Sequence, residues 1–239
     1  AAPPLRLRLI ELEAGHHVLS WVIHHILFDG WSVGVLQQEL EAAYRGLEIT
    51  VSPEQDSHSS VQAMTQPPRT LDRSLQYTDY ACWQREAEQK ARQEQELAYW
   101  KQELGGELPV LELATEYRRP KVPSSAGQSI QRELPAGLTE ALRSWSREQE
   151  VTLPMTLLAA FNVLLYRYSG QEELLVGMPV AGRTRAEWER MIGFFVNTVV
   201  IRTTMEENPS FTDYVHQVKE KCLGAYAHQE VSFERVVEA

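Results

Sequence analysis

The stretch HHILFDGWSVG at residues 24–34 joins a predicted strand to a predicted helix. The strand, HHVLSWVIHH at 16–25, carries apolar residues on both faces, a pattern typical of a central strand that is covered on both sides. Consecutive residues of a strand point to opposite faces, so we expect His24 and His25 to project in opposite directions.

Two regular patterns flank this stretch. Residues 5–12, LRLRLIEL, begin with alternating apolar and polar residues and predict a strand paired with 16–25 as a hairpin. After a turn at Asp29 and Gly30, apolar residues recur at helical spacing and predict a helix over 32–45.

The rest of the chain continues this mixture of helices and strands. We predict a surface loop at 47–74, a long helix at 76–104 with a solvated middle, a strand near 128–134, helices at 137–149 and 153–168, strands at 173–180 and 194–203, and a helix that begins near Ser210. Such alternation predicts an α/β protein with layered packing.

Composition excludes several classes of protein. The 239 residues include 33 acidic and 23 basic side chains, and no basic block predicts a nucleic-acid partner. Cys82 and Cys222 are the only cysteines and form neither a metal motif nor a secreted disulfide framework, so a reducing cytoplasm is the default. The apolar tract at 157–166 is too short to span a bilayer, and we predict no membrane association.

The segment GWSVG at 30–34 raises the alternative of a serine hydrolase, because it matches G-x-S-x-G between a strand and a helix. Asp213 and His228 follow in the required order but lie on one predicted helix, about 22 Å apart at ~1.5 Å per residue. They could not pair directly. The other interpretation of Ser32 is a helix N-cap, whose loss costs about 1 kcal/mol.

The histidines do not predict a metal site. His16, His17, His24 and His25 are neighbours on a strand, where adjacent side chains diverge, and no acidic or cysteine ligand stands at a zinc-like spacing. His24 suits a hydrogen-bonded core position. His25 is the candidate for proton transfer, since an unperturbed histidine has a pKa of about 6.5. Asp29 either orients that histidine or braces the loop.

Four stretches, in order, resemble motifs of one family. HHILFDGWS resembles HHxxxDG, YTDYACWQ (77–84) resembles YxDYAxWQ, IGFFVNTVVIR (192–202) resembles IGxFVNT, and AHQEVSFERVV (227–237) resembles HQDxPFExLV. GMPVAGRTR (177–185) is similar to a further recurrent stretch. The family is the condensation domains of nonribosomal peptide synthetases. Heterocyclisation domains replace the two histidines with aspartates, and epimerisation domains usually differ at IGxFVNT, so the resemblance favours condensation.

The resemblance implies an α/β fold like chloramphenicol acetyltransferase, with two αβα sandwich lobes in a V and a tunnel between them. On this expectation residues 1–110 form the latter part of the N-terminal lobe, 111–127 the interlobe connection and 128–239 most of the C-terminal lobe. The chain starts without Met and stops within a helical pattern. We therefore expect a fragment with two incomplete lobes, less stable than the whole domain and inactive alone.

The activity implied by the resemblance is amide bond formation between two carrier-bound thioesters. His25 and His24, together with Asp29 and Gly30, are the implied catalytic residues. His25 would hydrogen-bond the attacking amine, and backbone N–H groups near Gly30 could approach the reacting carbonyl. The implied substrate and tunnel residues are Asn197, Trp31 and Ser32.

The resemblance also implies the partners. Phosphopantetheine arms of donor and acceptor peptidyl carrier domains would deliver the substrates, and adenylation and carrier domains would lie next to this chain in one polypeptide. No cofactor is expected to be bound by the chain itself. The alternative is a truncated or non-catalytic module that docks carrier proteins.

Asp29 has an implied structural partner. In the family the matching aspartate forms a salt bridge with an arginine from the interlobe connection, which the EYRRP segment at 116–120 resembles. Arg119 is the expected partner and Arg118 the second choice. A buried carboxylate needs such a cation, because a stranded charge costs about 3–5 kcal/mol.

Overall fold

A computed structural model describes residues 3–48, 75–114, 122, 124 and 127–239 of the chain. Helices and strands alternate there, so the predicted α/β class is confirmed. The elements are β1 (Leu5–Glu13), β2 (His16–Ile23), a 3-10 turn (His25–Leu27), α1 (Gly30–Glu48), α2 (Tyr77–Trp83), α3 (Ala87–Glu103), α4 (Ala136–Glu148), α5 (Leu153–Ser169), β3 (Glu173–Val180), α6 (Ala186–Glu189), β4 (Asn197–Thr204), α7 (Phe211–Ala227) and α8 (Phe233–Glu238).

Contacts between residues divide the chain into two compact units. Unit 1 comprises Ala1–Arg92 and Ala181–Asn197, and unit 2 comprises Gln93–Val180 and Thr198–Ala239. The chain therefore returns to unit 1 for the segment 181–197, a path that the linear division into 1–110, 111–127 and 128–239 does not include. That linear division stays a prediction.

In unit 1, β1 and β2 form the predicted antiparallel hairpin, with Leu9 opposite Leu19. Gly15 has a φ of +78° in the turn between them, a conformation that favours glycine. The expectation that β2 is central and covered on both faces is wrong for the described chain: its sheet has two strands, and most β2 residues are exposed. Both faces of the hairpin carry exposed leucine and valine side chains.

The predicted helix at 76–104 is two helices. α2 ends at Trp83, a turn follows, and α3 begins at Ala87. α2 packs Tyr77, Tyr80 and Trp83 into an aromatic cluster of unit 1, and that packing explains why α2 and α3 are separate. The middle of the predicted helix is also less solvated than expected, because α3 buries polar side chains such as Gln93.

Unit 2 has the main apolar core. β4 alternates buried with half-buried residues, and Ile201 packs in one cluster with buried residues of α5 and α7, among them Ala159 and Val218. The predicted helices at 137–149 and 153–168 and the strand at 173–180 are confirmed, as is the cap of α7 at Ser210. The strand predicted near 128–134 is wrong, because that exposed stretch has irregular backbone.

No single described helix is both long and apolar enough to cross a membrane, although α4 and α5 together meet the length and composition across a bend of 103°. Most of the loop predicted at 47–74 lies outside the described residues, and the first residues of that range belong to α1.

Candidate active site

A buried carboxylate, that of Asp29, lies at the start of α1. Its Oδ1 accepts hydrogen bonds from the Ser32 amide (2.8 Å) and the Ser32 hydroxyl (2.7 Å). Its Oδ2 accepts one from the Phe195 amide at 3.1 Å. Because Asp29 precedes the first helical residue and binds the amide three residues on, it is the N-cap of α1.

Arg183 supplies the countercharge. Its Nη2 lies 3.1 Å from Oδ1 and 3.2 Å from Oδ2 of Asp29, and both side chains are 1% exposed. Nη1 donates to the carbonyl oxygens of Trp188 and Met191. Asp29 therefore has an ion-pair partner, Arg183 of the stretch GMPVAGRTR. Arg119 and Arg118 lie outside the described residues.

Burial alone would raise the pKa of Asp29, but the hydrogen bonds to the carboxylate and the charge of Arg183 together lower it by more. The hydroxyl and amide of Ser32, the amide of Phe195 and the charge of Arg183 all favour the ionised form, so the pKa lies below its ordinary value of 3.8. Asp29 is thus a structural anion with its acceptor positions occupied, and it is not available as a base.

The Ser32 hydroxyl is a shared hydrogen-bond partner of several buried groups and is not the cap of a helix. Its hydroxyl is fully buried, and the oxygen lies 2.9 Å from the Gly193 carbonyl oxygen and 3.0 Å from both the Gly193 amide and Arg183 Nη2. The single hydroxyl proton goes to Asp29 or to the Gly193 carbonyl, while the amide and the guanidinium donate to the oxygen. This environment corrects the N-cap interpretation and leaves no accessible nucleophile for a serine hydrolase.

Two glycines permit the close approach of the segments that meet here. A Cβ at Gly193 would lie 2.1 Å from the Tyr77 ring, and a Cβ at Gly182 would lie 1.8 Å from the Phe195 carbonyl oxygen. The Gly193 carbonyl also accepts from the Asp29 amide at 3.1 Å. The segment 193–195 is therefore fastened to the start of α1 on one side and packed against α2 on the other.

An aromatic cluster surrounds the network. Trp188, Met191 and Phe195 are buried, and α2 packs Tyr77, Tyr80 and Trp83 against them. The Arg183 guanidinium lies 4.1 Å from the centroid of the Phe195 ring, and Arg185 lies 4.5 Å from that of Trp83. The motifs at 24–32 and 77–84 thus meet in unit 1 with residues 181–185 and 192–197 of two further stretches.

His25 differs from Asp29 and Ser32 in being exposed. Its ring contacts Phe194 edge to face, with 5.3 Å between centroids and 78° between planes. No hydrogen bond to its imidazole occurs within the described part of the chain. His24 is also exposed, and its Nδ1 accepts from the Ile26 amide at 3.1 Å. Since β2 ends at Ile23, both histidines lie beyond the strand, and the strand-parity argument for their directions is wrong.

The remaining predicted residues are dispersed along the chain. Gly30 opens α1, and nothing lies within 4 Å of where its Cβ would be. Trp31 is half exposed and donates from Nε1 to the Glu189 carbonyl at 2.8 Å. Asn197 is half-buried at the start of β4. Among the described residues no group of three His, Cys, Asp or Glu side chains could hold a metal ion.

The motif at 227–237 lies in unit 2 and has structural contacts there. The His228 carbonyl accepts from Trp100 Nε1 at 2.8 Å, and the His228 ring stacks on Tyr99 at 4.1 Å. Ser232 caps α8, and Val231 is buried. These contacts anchor the chain between α7 and α8.

Sequence reasoning missed Arg183, Gly193 and the phenylalanines that follow. All stand in stretches that resemble family motifs, so the motifs marked them without giving them roles. A chemical signal also existed: a buried aspartate needs a cation, and GMPVAGRTR offers Arg183 next to glycine. The pairing of Asp29 with Arg183 spans about 150 residues of sequence, so no periodic pattern of residues predicts it.

Comparison with known proteins agrees with these motifs. A family model described as the condensation domain matches residues 1–239. A linear gramicidin synthase of Brevibacillus parabrevis is 44% identical over 236 residues, which cover 99% of this chain and 3% of that protein. The chain thus spans a small part of this relative.

Solved structures with a similar fold include the X-domain from teicoplanin biosynthesis, with a TM-score of 0.79, 27% identity, and coverage of 98% of this chain and 50% of that one. A four-domain nonribosomal peptide synthetase bound to AMP and glycine gives a TM-score of 0.73 and 26% identity, with coverage of 99% and 16%. These likenesses confirm the predicted chloramphenicol acetyltransferase-like fold.

Proposed function

The chain belongs to the condensation-domain family, and from that premise we propose that it forms amide bonds in nonribosomal peptide synthesis. The donor is an acyl or peptidyl thioester and the acceptor an aminoacyl thioester, each carried on the phosphopantetheine arm of a carrier domain. The observation that carries the proposal is the contrast within one motif. Asp29 and Ser32 are occupied by structural hydrogen bonds, whereas His25 is exposed.

The reaction needs little activation of the donor, because a thioester is already reactive. The acceptor nitrogen attacks the donor carbonyl carbon, a C–N bond forms, and the C–S bond breaks to release the donor arm as a thiol. His25 accepts a hydrogen bond from the amine, takes its proton as the C–N bond forms and returns that proton to the departing sulfur. Holding the two arms in line supplies much of the acceleration.

The first turn of α1 supports the developing charge on the carbonyl oxygen. The amides of the first helical turn lack partners within the helix, and the N-terminus carries partial positive charge. Asp29 uses the Ser32 amide, and the open space at Gly30 lets a substrate oxygen approach the backbone. In this scheme His24 shapes the turn through Ile26, and Asn197 and Trp31 contact substrate.

The test uses the intact protein that contains this chain, with donor and acceptor carriers loaded beforehand. His25→Ala should slow amide formation by about 10²- to 10⁴-fold, the usual value of general acid–base help. The melting temperature should stay near that of the wild type, because His25 is exposed and makes one ring contact.

His17→Ala is the matched control, since His17 is an exposed histidine on β2, and its rate should equal the wild-type rate. Full activity of His25→Ala would reject the role of this histidine. Wild-type protein that binds both loaded carriers and yields no amide would instead favour a docking module without chemistry.

A further inference from the structure

Phe194 is the residue whose side chain contacts the proposed base. Its ring meets the His25 imidazole edge to face at 5.3 Å. It occupies the position of IGFFVNT that the family motif IGxFVNT leaves open. His25 has no hydrogen bond to its ring within the described chain, so this aromatic contact is what limits the rotation of an otherwise exposed side chain.

The backbone of Phe194 is held firmly from three sides. The Tyr77 hydroxyl donates to the Phe194 carbonyl at 2.8 Å. On one side of Phe194, Gly193 exchanges hydrogen bonds with the Ser32 hydroxyl, and on the other, the Phe195 amide donates to Asp29. The ring of Phe194 therefore projects from a segment that cannot shift easily.

We propose that Phe194 is a positioning residue that fixes the orientation of the His25 imidazole, and that Tyr77 holds Phe194 in place for this task. The inference rests on the proposed function of His25. Aromatic rings at this separation attract each other in edge-to-face geometry, so the contact selects among the rotamers of His25. Proton transfer requires a nitrogen of His25 to point at the attacking amine, and small errors of position reduce such rates strongly.

The kinetic test compares Phe194→Leu, Phe194→Tyr and the control Phe161→Leu in the intact protein. Phe161 lies on α5 and is 48% exposed. Phe194→Leu should lower kcat by about 10- to 100-fold, with an unchanged KM for the acceptor carrier and an unchanged Tm. Phe194→Tyr should restore most of the rate because it restores the ring, and Phe161→Leu should match the wild type.

A spectroscopic test needs no variant to be active. In ¹³C-histidine-labelled protein, the ring current of Phe194 should displace the His25 proton resonances from the positions of a free imidazole, with His25→Ala identifying the signal. Phe194→Leu should remove the displacement and Phe194→Tyr should retain it. Undisplaced His25 resonances in the wild type would overturn the proposal even if Phe194→Leu failed to fold.

The two proposals fail in different ways. Wild-type protein without condensation activity rejects the proposed function. Active wild-type protein with a Phe194→Leu variant of equal kcat rejects the role of Phe194 alone. A Phe194→Tyr variant as slow as Phe194→Leu also rejects it, because the effect would then not depend on the aromatic ring.

Discussion

A single hydroxyl group, that of Ser32, satisfies several polar groups that have no access to water. It lies within 3.0 Å of Asp29 Oδ1, both backbone groups of Gly193 and Arg183 Nη2. Each buried polar group left without a partner costs about 1–3 kcal/mol. Ser32, which the sequence predicted to be a replaceable helix cap, therefore links two segments that are distant in the sequence.

Ser32→Ala should lower the free energy of unfolding by about 1–3 kcal/mol, because the buried Gly193 amide loses the oxygen to which it donates. The Gly193 carbonyl keeps its hydrogen bond from the Asp29 amide. Chemical denaturation of the intact protein measures the loss. Ser144→Ala is the control: Ser144 donates one solvent-exposed hydrogen bond, to Glu148, so its effect should stay within about 0.5 kcal/mol. A loss for Ser32→Ala as small as that of the control would show that the buried hydrogen bonds of the Ser32 hydroxyl do not stabilise the fold.

At the scale of elements, α2 and the segment 193–195 touch without space for a methyl group. The Cβ of an alanine at Gly193 would lie 2.1 Å from Cδ2 of Tyr77. The Tyr77 ring cannot swing away freely, because its hydroxyl is bonded to Phe194 and its face packs in the aromatic cluster. The glycine of the IGFF segment is thus required by packing.

Gly193→Ala should destabilise the protein by about 1–3 kcal/mol, the usual cost of overpacking a tight core. Thermal or denaturant unfolding checks this value. Gly137→Ala is the matched control, since Gly137 lies in α4 with nothing within 4 Å of its Cβ position. Alanine is the better helix former, so that control should be neutral or stabilising by up to about 1 kcal/mol. Equal changes in stability for Gly193→Ala and Gly137→Ala would contradict the predicted clash with the Tyr77 ring.

Elements with strong local signals could be predicted from the sequence, and those that depend on distant packing could not. α5, predicted at 153–168, spans Leu153–Ser169 between a Thr152 cap and Gly170 in the left-handed conformation, so local residues set its extent. The turn between α2 and α3 contains neither glycine nor proline, and the contacts of Trp83 and Tyr80 with Trp188 explain it. β2 was predicted to be central because apolar strands often are, but the described hairpin leaves it exposed.

At the scale of the whole molecule, the site could be predicted only in part. The motifs placed His25, Asp29 and Ser32 in one turn, as the structure does. They did not indicate that Arg183 and Gly193 complete the network, because the joining contacts cross some 150 residues of sequence and involve backbone groups that no residue pattern marks. The two units also differ in what stabilises them. Unit 1 contains the buried ionic network, and unit 2 has a core of residues such as Val215, Val218 and Ile201.

This difference predicts the order in which acid opens the chain. The pKa of Asp29 is lower in the folded state than its ordinary value of 3.8, so unfolding in acid takes up a proton. The stability contributed by Asp29 is complete above that ordinary value and is lost as the pH falls through the lower folded pKa. Protonation would also leave Arg183 buried without its counterion, and breaking a buried pair costs about 3–5 kcal/mol.

We therefore expect unit 1 to lose protection before unit 2 as the pH is lowered below about 4. Pulsed hydrogen exchange, corrected for the intrinsic rate at each pH, should show early opening of peptides from 25–34 and 188–196, and later opening of peptides from 155–165 and 211–225. Asp29→Asn should remove the pH dependence of the early step. Glu140→Gln should leave it unchanged, because Glu140 forms an exposed ion pair with Arg147. Simultaneous opening of both units in the wild type would show that the Asp29–Arg183 pair does not set the acid stability of unit 1.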